Sequence, residues 1–431
     1  MKTTLNKMVT RFILIFLIVI VLISTLTDFK AEMHVVGEGA GLRRDENDEN
    51  SVTVGTVVIN ENGMTSSAST SNGTGTAGGI NGNGGVNDIN ITGEANETGG
   101  INGNNGTGGI NDFSALNGAY VNPLTGLNTV TDVSRNRPVA VSVSNVKAAL
   151  PTNATNGISQ ADIVYEFLVE SGITRLIALY QDFSNVGVVG SIRSTRHYMV
   201  ELAEAYNAIF IHAGGSPLGF EEIENRNITN LDAVTGRRAQ IFTRDPDRVP
   251  GHTVQNYHSV TTSGASYMKW VPSFGLTLTQ DNNFRQALSF TSTPIPTGDS
   301  AHSAVVRFSS GKSSTFTYNE AQNLYYMSQF GSQFTDANNG NPVAFTNLLI
   351  LDIPISDLVG HGEGSGRQDM STVGSGKGYF VSGGRYVSIN WSRASKSSQF
   401  VYTYENGGEI ELGRGKTYIG IVPPDMNTSF S

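Results

Sequence analysis

The sequence predicts an α+β protein in two folded parts: a mixed α/β domain, then a smaller antiparallel β-rich domain, both placed behind a membrane anchor and a disordered Gly/Asn/Thr-rich linker. Three observations carry that prediction. One apolar run, Phe12 to Ile23, follows the basic residues Lys2, Lys7 and Arg11 near the N-terminus. Glycine is in excess at 50 of 431 residues, and charged residues make up only 15%, against roughly 25% in ordinary globular chains. Strand and helix patterns begin near residue 119, and beyond residue 300 only the strand pattern continues.

Residues 1–31 read as a signal peptide or signal anchor. The apolar run is shorter than the ~20 residues of a full span, and Ser24 to Leu26 extend it towards that length. Phe29-Lys30-Ala31 places a bulky residue at the outer position of a cleavage site, which favours an anchor over a cleaved peptide. The basic flank keeps its own side cytoplasmic and sends the rest of the chain out, so the expected partner is the membrane and the expected compartment extracytoplasmic. There is no cysteine. That excludes disulfides, thiolate zinc sites, a thiol nucleophile and lipid attachment through cysteine.

Residues 32–118 form the expected linker. Gly78-Gly79-Ile80-Asn81-Gly82-Asn83 recurs as Gly99-Gly100-Ile101-Asn102-Gly103-Asn104 and, degraded, as Gly108-Gly109-Ile110-Asn111-Asp112. The spacing drifts and isolated isoleucines are the only large apolar side chains in these repeats, so a solenoid core is not expected. Such a chain buries too little surface to offset its ordering entropy.

The mixed α/β domain is expected over 119–275. Strand-like runs fall at Pro138 to Val143, Ile163 to Leu168, Arg175 to Tyr180 and Ala208 to His212. Tyr198, Leu202 and Tyr206 recur every four residues, so Ser194 to Tyr206 reads as an amphipathic helix capped by Ser194. Ser216-Pro217 reads as a cap and first helical position for a second helix running to Glu224. Pro294, Pro296, Gly298 and Asp299 mark a connection over 276–300. From 301 to 431, eight short β-rich runs between Ala304 and Val422 are divided by Gly, Asn and Ser.

Chemistry-bearing residues gather in three segments. Asp162 and Glu166 share one face of a strand by its two-residue period, and two carboxylates so placed call for a cation between them. Glu170 and Arg175 continue that segment. Arg193, Ser194 and Arg196 stand at the mouth of the first helix, where cationic side chains oppose the macrodipole unless an anion lies between them. Guanidinium groups match oxyanions in a two-pronged way; the alternative is that these arginines pair with Asp162 and Glu166 as structural bridges. His212-Ala213-Gly214-Gly215-Ser216 ends a strand, turns on glycines and enters a helix, which suits either backbone donors for a ligand or simple tight packing around a core histidine.

Other residues make poorer cases. His252 and His258, after Arg244 and Arg248, stand where a loop would close the same pocket, and Asp352, His361, Glu363 and Asp369 read as solvating carboxylates and imidazole rather than a calcium loop. No zinc-helix, calcium-loop, Walker, dinucleotide or nucleophile-elbow motif is present, so the sequence names no cofactor, metal or oligomeric state. A formal net charge of -9 argues against sequence-independent nucleic-acid binding.

Taken together, Arg137-Pro138-Val139-Ala140-Val141, Gly157-Ile158-Ser159-Gln160-Ala161-Asp162, Gly172-Ile173-Thr174-Arg175, Gly190-Ser191-Ile192-Arg193-Ser194-Thr195-Arg196 and His212-Ala213-Gly214-Gly215-Ser216-Pro217 resemble the YerB-like lipoproteins. That bacterial family carries a two-part domain of unknown function, and the resemblance spans roughly 119–431. It implies an extracytoplasmic, membrane-tethered protein, with the missing cysteine requiring another tether. The expected function is binding of an anionic phosphate or carboxylate ligand of the cell envelope by the first domain. The competing class is an enzyme on phosphorylated cell-wall precursors, resembling the LytR-CpsA-Psr phosphotransferases, with Asp162 or Glu166 as metal ligand or base and His212 in proton transfer.

Overall fold

The computed structural model describes residues 120–431 apart from 151–153, 237, 250–257, 293–296 and 361–365. The anchor at 1–31, the linker at 32–118, and His252, His361 and Glu363 lie outside the described residues. Among the described residues no helix is long and apolar enough to cross a membrane.

The principal strands are β1 (Val139–Asn145), β2 (Ile163–Leu168), β3 (Thr174–Tyr180), β4 (Ile209–His212), β5 (Asn230–Asp232), β6 (Ser303–Ser309), β7 (Lys312–Asn319), β8 (Leu324–Gln329), β9 (Asn347–Asp352), β10 (Gly374–Ser382), β11 (Arg385–Arg393), β12 (Val401–Tyr404) and β13 (Thr417–Val422). The helices are α1 (His197–Ala205), α2 (Pro217–Asn225) and α3 (Gly264–Trp270). The strand-like runs picked out by composition are all found, within a few residues. The third helix carries no strong periodic pattern and was not expected; Ser263 caps it by accepting from the Ser266 amide.

The strands of the two sequence parts share one eleven-stranded mixed sheet. Its order is Asp299–Ser300, β11, β10, β9, β13, β2, β3, β1, β4, β5, with β12 beside β11. The seam is parallel: β13 lies between β9 and β2, with Thr417 opposite both Asn347 and Ile163. The β-rich part is therefore antiparallel internally at β9–β10–β11 but joins the first part through a parallel strand. β1, β2, β3 and β13 are buried at almost every position, as strands covered on both faces must be.

Period-two alternation assigns the faces. Phe167, Arg175 and Ser144 stand directly opposite one another and share one face; Tyr165, Ile177 and Ser142 continue it. α1 packs there, with the Tyr198 ring edge-on to Phe167 and the Tyr165 hydroxyl 2.9 Å from that of Tyr206. α1 is buried nearly all round rather than on one stripe, because Arg393 and Thr372 close over its outer side around Glu201.

Glu166, Asn145 and Thr174 share the opposite face, which a second, six-stranded sheet built on β6, β7 and β8 covers. Phe316 of β7 packs at a tilt against Tyr418 of β13, at 4.6 Å between ring centres. Between the sheets lies a polar knot. Lys312 Nζ is 2.9 Å from Glu166 Oε1 and donates to Gln329 at 2.8 Å. Glu166 also accepts from Thr174, Asn145, Ser314 and Tyr418 at 2.7–2.8 Å. Burial pushes the Glu166 carboxyl up, but Lys312 and the hydroxyl donors outweigh it and hold the carboxyl below its ordinary value.

Removing one member of such a pair strands the other, at a cost of about 3–5 kcal/mol. Urea denaturation of the full chain should show Glu166→Gln and Lys312→Met each destabilised on that scale, and the double variant less destabilised than the sum of the two. Because the folded-state value is depressed, the contribution of Glu166 is fully present above its ordinary value of 4.5 and fades as pH falls through the lower one. The gap between wild type and Glu166→Gln should therefore narrow in acid.

Candidate anion-binding site

Residues 191–196 run across the end of the sheet, stitched on both sides. The Ser144 amide donates to Ser191 and the Arg193 amide to Ser142, at 2.8 and 2.9 Å. On the other side Ala213 donates to the Arg193 carbonyl and Thr195 to that of Gly214, at 3.0 and 2.9 Å. The chain then enters α1, so Arg193 and Arg196 are delivered to the mouth of a helix as expected. Ser194 does not cap it: its hydroxyl donates to the Ala213 carbonyl at 3.1 Å, and the N-cap residue Arg196 makes no side-chain cap.

The β2–β3 hairpin supplies the rest of the cluster. Glu170 lies in its turn and Arg175 is the second residue of β3. Arg175 is buried and donates to the Ser194 carbonyl at 2.6 Å. Arg196 folds back so that Nη1 donates to the Thr195 carbonyl at 2.6 Å and Nε to Glu170 Oε1 at 2.7 Å. Arg367 Nε is 3.3 Å from the same carboxylate oxygen. Beside it the Asp369 carboxylate is 2.9 Å from Nε2 of buried His197, whose Nδ1 has no hydrogen-bond partner among the described residues.

The electrostatics are lopsided. Burial first, and then the guanidinium groups of Arg196 and Arg193, pull the Arg175 pKa down to about 9, with Glu170 opposing. At neutral pH Arg175 remains charged, so the fold holds a buried cation repelled by two others. Burial raises the Glu170 carboxyl, but Arg196 and the other donors take it below its ordinary value.

Arg175, Arg193, Ser194 and Arg196 are thus brought together, but the two carboxylates expected beside them are not. Glu166 points to the opposite face of the sheet, into the Lys312 knot. It is not a solvent-facing edge residue, because β2 is an interior strand. Asp162 precedes β2 rather than belonging to it, and at about 3.3 Å per residue lies roughly 16 Å along the strand from Phe167, the partner of Arg175. There it accepts from the Gln181 amide at 2.6 Å and from Asn122 at 3.0 Å. Burial raises its pKa to about 6 against those donors and Lys416. Neither carboxylate pairs with the arginines, so the phosphotransferase reading, which needs Asp162 or Glu166 beside them, is not supported by this arrangement.

The glycine turn is a packing device. Gly214, at φ +72, adopts the left-handed conformation that favours glycine. Its amide, expected to face a ligand, donates to Asp232 at 2.6 Å. A Cβ on Gly215 would lie 2.9 Å from the Thr195 methyl. Ser216 caps α2 through the Gly219 amide, as its sequence position predicts. His212 is fully buried, with Nδ1 2.9 Å from the Gly214 carbonyl and Nε2 3.2 Å from Asn230 Oδ1. Burial lowers its pKa against Asp232 and these partners, so it staples the turn rather than facing a substrate. Arg248, which precedes the loop of His252 and His258, is engaged by Ser191, Gly190 and Asn156.

Two family models match the chain: the N-terminal domain of a protein of unknown function, DUF3048, over residues 124–268, and its C-terminal domain over 304–419. The crystal structure of the YerB protein from Bacillus subtilis superposes with a TM-score of 0.61 at 30% identity, covering 72% of this chain and 99% of that one. The chain belongs to the DUF3048 family. A curated relative, "Putative lipoprotein YerB" of Bacillus subtilis (strain 168), is 29% identical over 306 residues, 70% of this chain and 86% of the relative. The strands matched by the two DUF3048 halves meet at the parallel seam between β2 and β13.

Of the other residues in the cluster, the sequence reading names Glu170 beside Arg175 and takes Asp369 for a solvating carboxylate, while His197 and Arg367 are not singled out. Glu170 had a local signal, since Ser171-Gly172 makes a tight turn that returns the chain beside it. Arg367 comes from a distant segment and had none, and Asp369, read as solvating its loop, instead meets His197.

Replacing Arg175 by an apolar side chain removes an under-neutralised buried charge. In anion-free buffer at pH 7, thermal unfolding of Arg175→Met should therefore occur at a higher temperature than that of the wild type.

Proposed function

We propose that this DUF3048 protein is an extracytoplasmic, membrane-tethered envelope protein that binds an anionic group at the arginine cluster where α1 begins. The observation that carries the reading is the burial of Arg175 beside Arg193 and Arg196 with no carboxylate bonded to it among the described residues. An incoming anion relieves that repulsion and accepts charge-assisted hydrogen bonds, each worth roughly 1.5–3 kcal/mol. The tether is the apolar run Phe12 to Ile23, since the chain has no cysteine to carry a lipid; the description of the Bacillus relative as a lipoprotein supports the same compartment.

Inorganic phosphate should raise the melting temperature of the full chain, and calorimetry should show a binding isotherm that weakens with added salt. Arg193→Ala, at a partly exposed position, should remain folded and lose about 10- to 100-fold in affinity. An unchanged isotherm in that variant removes Arg193 from the site. Separately, a reporter fused after Ser431 should be found outside the cytoplasm, and cytoplasmic activity would end the compartment reading.

A further inference from the structure

Building on the anion-binding reading, we propose that Glu170 is a stand-in for the ligand's anionic group, and that the ligand displacing it carries a phosphoryl group rather than a lone carboxylate. The positive half of the site is fixed without Glu170. Arg175 is held by the Ser194 carbonyl and Arg196 Nη1 by that of Thr195, so both guanidinium groups keep their places when the carboxylate leaves. The negative half is the more exposed one: the Glu170 side chain is 23% accessible and that of Arg196 9%. Glu170 sits in a hairpin turn and meets Arg196 and Arg367 through a single oxygen, Oε1. The other charged or titratable groups at this place are Arg193, Tyr198, His197 and Asp369; the Tyr198 hydroxyl donates to the Leu168 carbonyl, and His197 and Asp369 are engaged with each other.

The chemical class follows from competition. A carboxylate tethered in a short turn acts at an effective concentration in the millimolar range or above. A free monocarboxylate offers the arginines the same group without that advantage. A phosphoryl group brings about 1.5 to 2 negative charges near neutral pH and three strong acceptor oxygens. It can engage Arg196 and Arg175 together, in the geometry that suits guanidinium forks.

The test is calorimetry on the full chain and on Glu170→Gln, with inorganic phosphate and glycerol 3-phosphate as phosphoryl probes and acetate as the carboxylate probe. The wild type should bind the phosphoryl probes at least tenfold more tightly than acetate, and the tighter of the two tells whether the group arrives free or on an organic carrier. Glu170→Gln should bind phosphate about tenfold more tightly still and gain measurable acetate binding. Weaker phosphate binding in Glu170→Gln would mean that Glu170 positions Arg196, and equal wild-type binding of acetate and phosphate would remove the chemical distinction; either result overturns the proposal. Binding of no probe by either protein instead sinks the anion-binding reading on which it rests. Should Glu170→Gln fold poorly, carbon-13 titration of Glu170 in the wild type decides: phosphate should move its carboxyl back towards the ordinary range, and an unmoved titration counts against displacement.

Discussion

The fold depends on the buried meeting of Glu166 and Lys312. Glu166 comes from an interior strand of the large sheet and Lys312 from the small sheet that covers it, so one ion pair spans the joint between two stretches of sequence. Desolvating two charges is unfavourable unless hydrogen bonds fill their remaining sites. Here Asn145, Thr174, Ser314, Tyr418 and Gln329 do so. Apolar contacts such as Phe316 on Tyr418 hold the two sheets together. The polar knot adds register, because a shift of one residue would turn the carboxylate to the other face.

That same alternation fixes where the chemistry is. Strands β2 and β3 send Glu166 and Thr174 to the small-sheet side and Phe167 and Arg175 to the helix side. One face becomes a neutralised structural joint, and the other gathers Arg175, Arg193 and Arg196 at the mouth of α1. The stitched segment 191–196 holds these arginines through backbone hydrogen bonds. The site is thus set largely by main-chain geometry, which a side-chain substitution at Arg193 leaves in place.

The sequence by itself determined the strands, α2 and its cap, and the gathering of Arg193 and Arg196 at a helix mouth. It also carried enough of the motif set for the family resemblance, because short-range spacing and composition encode all of these. It misplaced Ser194 as a cap, since the competing acceptor at Ala213 is supplied from elsewhere in the chain. The partner of Glu166, the shared sheet and the contributions of Arg367 and Asp369 were decided only by the tertiary structure. Lys312 is 146 residues from Glu166, and Arg367 is 197 from Glu170. Pairing at that range is set by the parallel insertion of β13 and by which face each strand turns inward, and no local pattern records either.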